Sequence, residues 1–216
     1  MKTYAFKDLS MATLAEIAVV GHEPRQPAFW ERLAQREIGQ QQRAAIDFIV
    51  AKLIDYKTQR VNEATIWARA IYPLLALAER DDIRAWSQVP LAGKLNDAEL
   101  RGEVDGALAS SFDEEMELPY FVVVEAKRGV GGTDPVAQLL GAMLCAAQRN
   151  ERDGPPAEQI YGCYTIAAVW TFMRGKLDWS QPKPSITVLS SREYTEKTEA
   201  PTILAILDAI LAETSP

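Results

Sequence analysis

Apolar residues in the first part of the chain recur at helical spacing. From Phe29 to Tyr56, the positions Trp30, Leu33, Ile46, Phe48, Ile49, Leu53 and Ile54 fall mostly three or four residues apart among charges and glutamines, which predicts helix. His22-Glu23-Pro24-Arg25-Gln26-Pro27 precedes it and reads as a linker, because two prolines break regular structure. A further helix is expected from Asn62, a good N-cap, through Ile66, Trp67, Ala70 and Ile71. Pro73 should kink or end it, while Leu74, Leu75 and Leu77 carry the apolar patch on towards Glu79.

After Arg80-Asp81-Asp82 the period shortens. Trp86 to Leu91 reads as a strand in which Pro90 favours an edge or a bulge. Glu103 to Ala109 alternates, with Val104, Gly106 and Leu108 on one side and Glu103 and Asp105 on the other. Tyr120-Phe121-Val122-Val123-Val124 is β-branched and aromatic throughout and suits a strand buried on both faces. Gly129-Val130-Gly131-Gly132 then forms a turn, and Asp134-Pro135 opens a helix with the stripe Val136, Leu139, Leu140, Met143, Leu144 and Ala147. Ile160–Thr165, Val169–Met173 and Ile186–Leu189 predict three more strands, and Pro201 opens a last helix. The order predicts an α/β fold, a mixed central sheet flanked by helices. It divides into a helical N-terminal extension over residues 1–60 and a main domain over 61–216.

The bulk numbers agree with a globular chain. Of 216 residues, 48% are hydrophobic and 25% charged, enough to fill a core. The net charge of -7 offers no global positive field, so a nucleic-acid partner would need a local basic groove or bound cations. Cys145 and Cys163 fall in apolar patterns and read as buried free thiols. Trp67, Trp86 and Trp170 likewise read as core. The sole histidine, His22, lies in the proline linker, which argues against a Ser-His-Asp triad or a zinc site. Gly129, Gly131 and Gly132 complete neither a dinucleotide fingerprint nor a Walker loop. Asp8 and Glu16 interrupt any signal-like apolar core, and no apolar run reaches membrane-spanning length. A cytoplasmic protein with no membrane partner is expected.

One pair stands out chemically. Residues two apart on a strand share a face, so Glu125 and Lys127 project together from the end of the buried strand, with Phe121 and Val123 preceding them on that face. Burying either charge unpaired would be costly. If the strand holding Asp105 lies alongside, two carboxylates and an ammonium converge, and the carboxylates repel unless a cation sits between them. Oxygen ligands select hard cations, Mg²⁺ or Mn²⁺. A second acid-x-lysine match, Asp55-Tyr56-Lys57, lies in a helical stretch where acid and lysine do not share a face. A structural salt bridge at a strand end is the plain alternative at Glu125. Arg128, Arg174 and Lys176 read either as a solvated face or as contacts for a nucleic-acid backbone.

The run Gly102-Glu103-Val104-Asp105-Gly106-Ala107-Leu108, then Val122-Val123-Val124-Glu125-Ala126-Lys127, then Gln138, resembles the PD-(D/E)XK superfamily. Within it the likeness is to the nuclease domain of type I restriction motor subunits and related bacterial proteins. Asn62-Glu63-Ala64 with Ile71-Tyr72-Pro73-Leu74-Leu75 is similar to that group's first core helix, and Tyr161-Gly162-Cys163-Tyr164-Thr165 with Trp170-Thr171-Phe172 resembles its closing strands. The resemblance implies a restriction endonuclease-like fold. It also implies a divalent metal on Asp105, Glu125 and the carbonyl of Ala126, with Lys127 beside the attacking water. Glu63 and Gln138 would support the site. The implied activity is Mg²⁺- or Mn²⁺-dependent hydrolysis of phosphodiester bonds in DNA, with the N-terminal extension serving substrate choice or homodimer formation. Asp105 follows Val104, not the proline of the family's name, and Ala142 stands where relatives often carry tyrosine. A module that keeps the fold but only binds nucleic acid or protein is the alternative.

Overall fold

A computed structural model describes residues 2–95, 97–129, 134–150 and 156–214. Eight strands form one mixed sheet: β1 (Lys2–Ala5), β2 (Val19–His22), β3 (Ile83–Leu95), β4 (Ala98–Phe112), β5 (Glu115–Lys127), β6 (Gln159–Ile166), β7 (Val169–Asp178) and β8 (Ser185–Thr195). Their order is β1-β4-β5-β6-β7-β8-β2, with β3 paired to β4. The pairs β1/β4, β2/β8 and β5/β6 are parallel and the rest antiparallel. Among the described residues, no helix is long and apolar enough to cross a membrane.

Helices cover both faces: α1 (Met11–Ile17), α2 (Pro27–Ala34), α3 (Gln40–Leu53), α4 (Glu63–Ile66), α5 (Tyr72–Ala76), α6 (Val136–Arg149) and α7 (Glu196–Thr214). One core gathers Trp30, Ile46, Ile71, Leu108, Val122, Val124 and the apolar residues of α7. The other gathers Leu14, Leu100, Val104, Val123, Val188 and the residues of α6. Ala137 to Ala147 of α6 are buried without interruption, because small and apolar residues occupy every side of it and not a single stripe.

The predicted helices are found, with differences that have local causes. The Phe29 to Tyr56 stretch is two helices, split after Ala34, and Gln42 accepts the Gly39 amide at the second start at 2.8 Å. Asn62 caps α4 as expected, its side chain accepting the Thr65 amide at 2.9 Å. Pro73 does not end the helix. A π-turn over Trp67–Ile71 intervenes, and Pro73 takes the first turn of α5, where its missing N–H costs least. The last helix starts at Glu196 with a break at Glu199, after which Pro201 fits a new first turn.

The N-terminal segment is not wholly helical. β1 and β2 add strands to the sheet alongside β4 and β8, four residues each, too short to show any period. The remaining strands run as expected but longer. Cys145 and Cys163 are free and buried. Of the glycine turn, 130–132 lie outside the described residues.

Candidate active site

The site grows from a parting of two strands. β3 pairs with β4 along one edge, from Ile83↔Ser110 to Leu95↔Ala98. The other edge of β4 is therefore shared. β1 takes Ala98 to Arg101, and β5 takes Gly106 to Phe112. Between them 102–105 have no ladder partner on that edge, and Asp105 is the last residue before β5 joins. β5 meanwhile runs on past Val124, paired with β6 through Glu125↔Tyr164, Ala126↔Thr165 and Lys127↔Ile166. The two strands thus diverge at Asp105 and Glu125. Asp105 bridges the gap: its Oδ2 accepts the Ala126 amide at 2.6 Å, where a ladder carbonyl would otherwise sit.

The bend at this point overturns part of the expected alternation. Val104 packs in the α6-side core, whereas Leu108 packs in the α7-side core, so Val104 and Leu108 do not share a face. On β3 the residue opposite Asp105 is Gln88, which has φ 54, and the sheet swaps faces there. Phe121 is likewise not on the face of Glu125. The register shifts from Leu108↔Val122 to Ala109↔Tyr120, leaving Phe121 as an extra residue turned to the α7 side with Val122.

Glu125 and Lys127 do lie together. Lys127 Nζ donates to Glu125 Oε1 at 2.6 Å, with both side chains largely enclosed. Glu125 is only 4% exposed, which makes an unpaired charge there expensive. Glu63 enters from the first turn of α4. Its Oε2 accepts the Arg128 amide at 3.3 Å, which draws the helix start against the end of β5. The seat of that helix depends on Gly106. A Cβ there would meet the Trp67 ring at 2.4 Å and the Trp86 carbonyl at 2.7 Å, and Trp67 also donates to Ser87 at 3.0 Å.

Electrostatics tie the four side chains into one group. Burial pushes Glu125 up to about 7, with the charges of Asp105 and Glu63 adding and Lys127 opposing. Burial also raises Asp105, against the pull of the Ala126 amide and Lys127. Burial alone would lower Lys127, but its bond to Glu125 and the surrounding acids outweigh this and keep it an ammonium. Glu103 is exposed and acts on Asp105 only as a nearby charge.

The structure thus brings together Asp105, Glu125, Lys127 and Glu63, with the Ala126 backbone between them. Gln138 is buried in the first turn of α6, and among the described residues no hydrogen bond joins it to these groups. Among the described residues no cluster of three or more acidic, histidine or cysteine side chains is positioned to hold an ion by itself. A cation bound here would draw on the two carboxylates of Asp105 and Glu125, a set compatible with Mg²⁺, an ion that keeps several waters and takes one or two protein carboxylates. Repulsion between the buried Glu125 and the half-buried Asp105 would favour a cation between them.

Arg174 and Lys176 are engaged elsewhere: both pair with Glu23 at 3.1 Å, and Arg174 lies over the Phe29 ring. The Asp55-Tyr56-Lys57 match follows the end of α3, away from any strand. Sequence reasoning placed Tyr164 only in a closing strand and missed that it is the cross-strand neighbour of Glu125; it also missed Glu196, which is fully buried, accepts from Trp170 Nε1 at 2.8 Å and has no partner for its other oxygen among the described residues. Nothing in the polar run around Glu196 signals its burial. Comparison with known proteins finds no family profile and no curated protein that matches this chain.

Proposed function

We propose that the chain is a divalent-metal-dependent nuclease of the PD-(D/E)XK kind, with a restriction endonuclease-like fold and DNA as its expected substrate. The observation that carries this reading is the fork between β4 and β5, where Asp105 meets the Glu125–Lys127 pair. A salt bridge serving stability alone needs no second acid beside it, and Asp105 makes the Glu125 carboxyl harder to ionise. Mg²⁺ or Mn²⁺ would be held by Asp105 and Glu125, with the Ala126 carbonyl as a further donor, and would supply Lewis-acid polarisation of a phosphate oxygen.

The chain's own groups take the other roles. Lys127 is held protonated by its acidic neighbours, so it enters as an ammonium and not as a base. Placed beside the reacting phosphate, it orients the attacking water and offsets negative charge that develops in the transition state. Glu125 fixes the position of that ammonium, and Asp105 locks Ala126 at the strand end. Glu63 adds negative charge that keeps Lys127 protonated.

Incubation of the protein with plasmid DNA and with single-stranded oligonucleotides, in Mg²⁺, Mn²⁺ or EDTA, tests this. Cleavage should need the cation. Equal cutting in EDTA contradicts the mechanism. The net charge of -7 favours a second reading, a binding module that retains the fold; binding without cutting under every ion would select it.

A further inference from the structure

A row of side chains leads away from Glu125 across the sheet. Glu125 pairs with Tyr164, Tyr164 with Thr171, and Thr171 with Glu193, so the four stand side by side on one face. At about 4.8 Å per strand, Thr171 lies roughly 10 Å from Glu125. The row runs into a cleft of about 510 Å³, to which Tyr164, Thr171 and Glu193 themselves belong. That volume falls within the roughly 300–1,000 Å³ of small-ligand sites.

The edge of the sheet makes the cleft. β2 pairs with β8 only from Ser185 to Val188, and the Glu23 amide gives the last bond, to the Val188 carbonyl at 2.8 Å. The chain then leaves towards α2, so Arg25 and Trp30 stand beside the uncovered part of β8. There β8 bulges at Ser191 and Arg192, with Ser191 Oγ accepting the Phe172 amide at 2.9 Å. Trp30 is 2% exposed, and its indole N–H has no hydrogen-bond partner among the described residues.

The lining selects a class of ligand. Arg25 and Arg192 are balanced by Glu31 and Glu193, and Arg192 is already bonded to Glu199 at 2.7 Å. A free anion gains little from such a balance. A nucleobase fits it better, because its edge presents donors and acceptors together and its face stacks on an aromatic ring. Tyr164 offers that ring, Ser190 and Glu193 offer hydroxyl and carboxylate partners, and the arginines stand by for the attached phosphate.

We propose that this cleft holds one unpaired nucleotide of the strand that lies across Glu125. The inference rests on the nuclease reading for the position of that strand, but the cleft can be tested without cleavage. A fluorescein-labelled 12-nucleotide single-stranded DNA and its blunt duplex are titrated by anisotropy in EDTA against the wild type, Tyr164→Ala, Tyr164→Phe and the double variant Arg25→Ala, Arg192→Ala. The single strand should bind more tightly than the duplex. Tyr164→Ala should weaken it by roughly 5- to 100-fold, the size of one lost base–aromatic stack, while Tyr164→Phe keeps the ring and the affinity. The double variant should weaken binding and flatten its salt dependence. Thermal melting checks that each variant folds; if Tyr164→Ala does not, the exposed arginines decide. Unchanged binding in the cleft variants, or a preference for duplex, overturns the proposal. If such a protein still cuts DNA with Mg²⁺, the nuclease reading stands alone. Loss of binding in the cleft variants of a protein that never cuts supports the cleft and removes the nuclease. A wild type that binds neither oligonucleotide overturns the cleft whether or not it cuts.

Discussion

Glu196→Gln isolates the energetic cost of a buried carboxyl that is not among the charges acting on Asp105, Glu125 or Lys127. Glu196 lies at the start of α7, fully buried, with one oxygen accepting from Trp170 and the other without a partner among the described residues. Burial pushes its pKa from 4.5 to about 7, and the Trp170 bond only partly opposes this. The unfolded chain releases this proton near pH 4.5, whereas the folded protein holds it until about pH 7. Between these values the folded state binds more protons, so stability falls as pH rises. The contribution of the neutral carboxyl is fully present below pH 4.5 and gone above pH 7. A shift of this size corresponds to about 3 kcal/mol, at roughly 1.4 kcal/mol per pH unit. Glutamine cannot ionise, so it removes the pH-dependent part. It also leaves an amide where the unpartnered oxygen was, which adds an offset of about 1–3 kcal/mol that does not vary with pH. Urea unfolding of both proteins at pH 5 and pH 8, in EDTA, reads the difference. The variant should gain on the wild type by about 2–3 kcal/mol between the two pH values. An unchanged gap between the proteins would show that Glu196 is ionised throughout or hydrated when folded.

The other expectations concern the fork. Gly106→Ala should cost about 1–3 kcal/mol in urea unfolding, because the clash includes a backbone carbonyl that cannot swing aside, and cleavage should fall as the helix start bearing Glu63 moves off β4. Mg²⁺ or Mn²⁺ should raise the melting temperature by mass action, by several degrees at 100 times Kd, and Asp105→Asn should remove most of that rise; an equal rise in the variant places the ion elsewhere. Lys127→Ala should cut cleavage by on the order of 10² or more yet still bind Mg²⁺, measured by calorimetry, since a positive charge beside the site has gone. Retained cleavage in Lys127→Ala would take the lysine out of the mechanism and leave the metal site in place.

What the chain revealed in advance depended on how far each signal reaches. Glu125 and Lys127 could be placed on one face because the ladder from Val122 to Lys127 is regular, and a two-residue period needs only local order. The same rule misplaced Phe121 and Val104, since a bulge and a bend at Gln88 each shift the alternation. Such irregularities leave no mark in apolar spacing, because the residues on either side are apolar whichever core receives them. β1 and β2 were invisible for a different reason: four residues carry too little pattern to distinguish a strand from a turn.

The geometry of the fork lies further still from local sequence. Asp105 stands without a ladder partner on that edge because β1 pairs with β4 up to Arg101 and the ladder to β5 begins at Gly106. The opening is therefore set by a strand some hundred residues upstream in the chain, and no inspection of the residues around Asp105 discloses it. The same holds for the cleft beside Tyr164, which exists because the pairing of β2 with β8 stops at Val188 and lets α2 approach the bulge in β8. The acids and the lysine are local facts of sequence. The space in front of them is made where paired strands end, and those endings are decided by distant segments competing for the same edges.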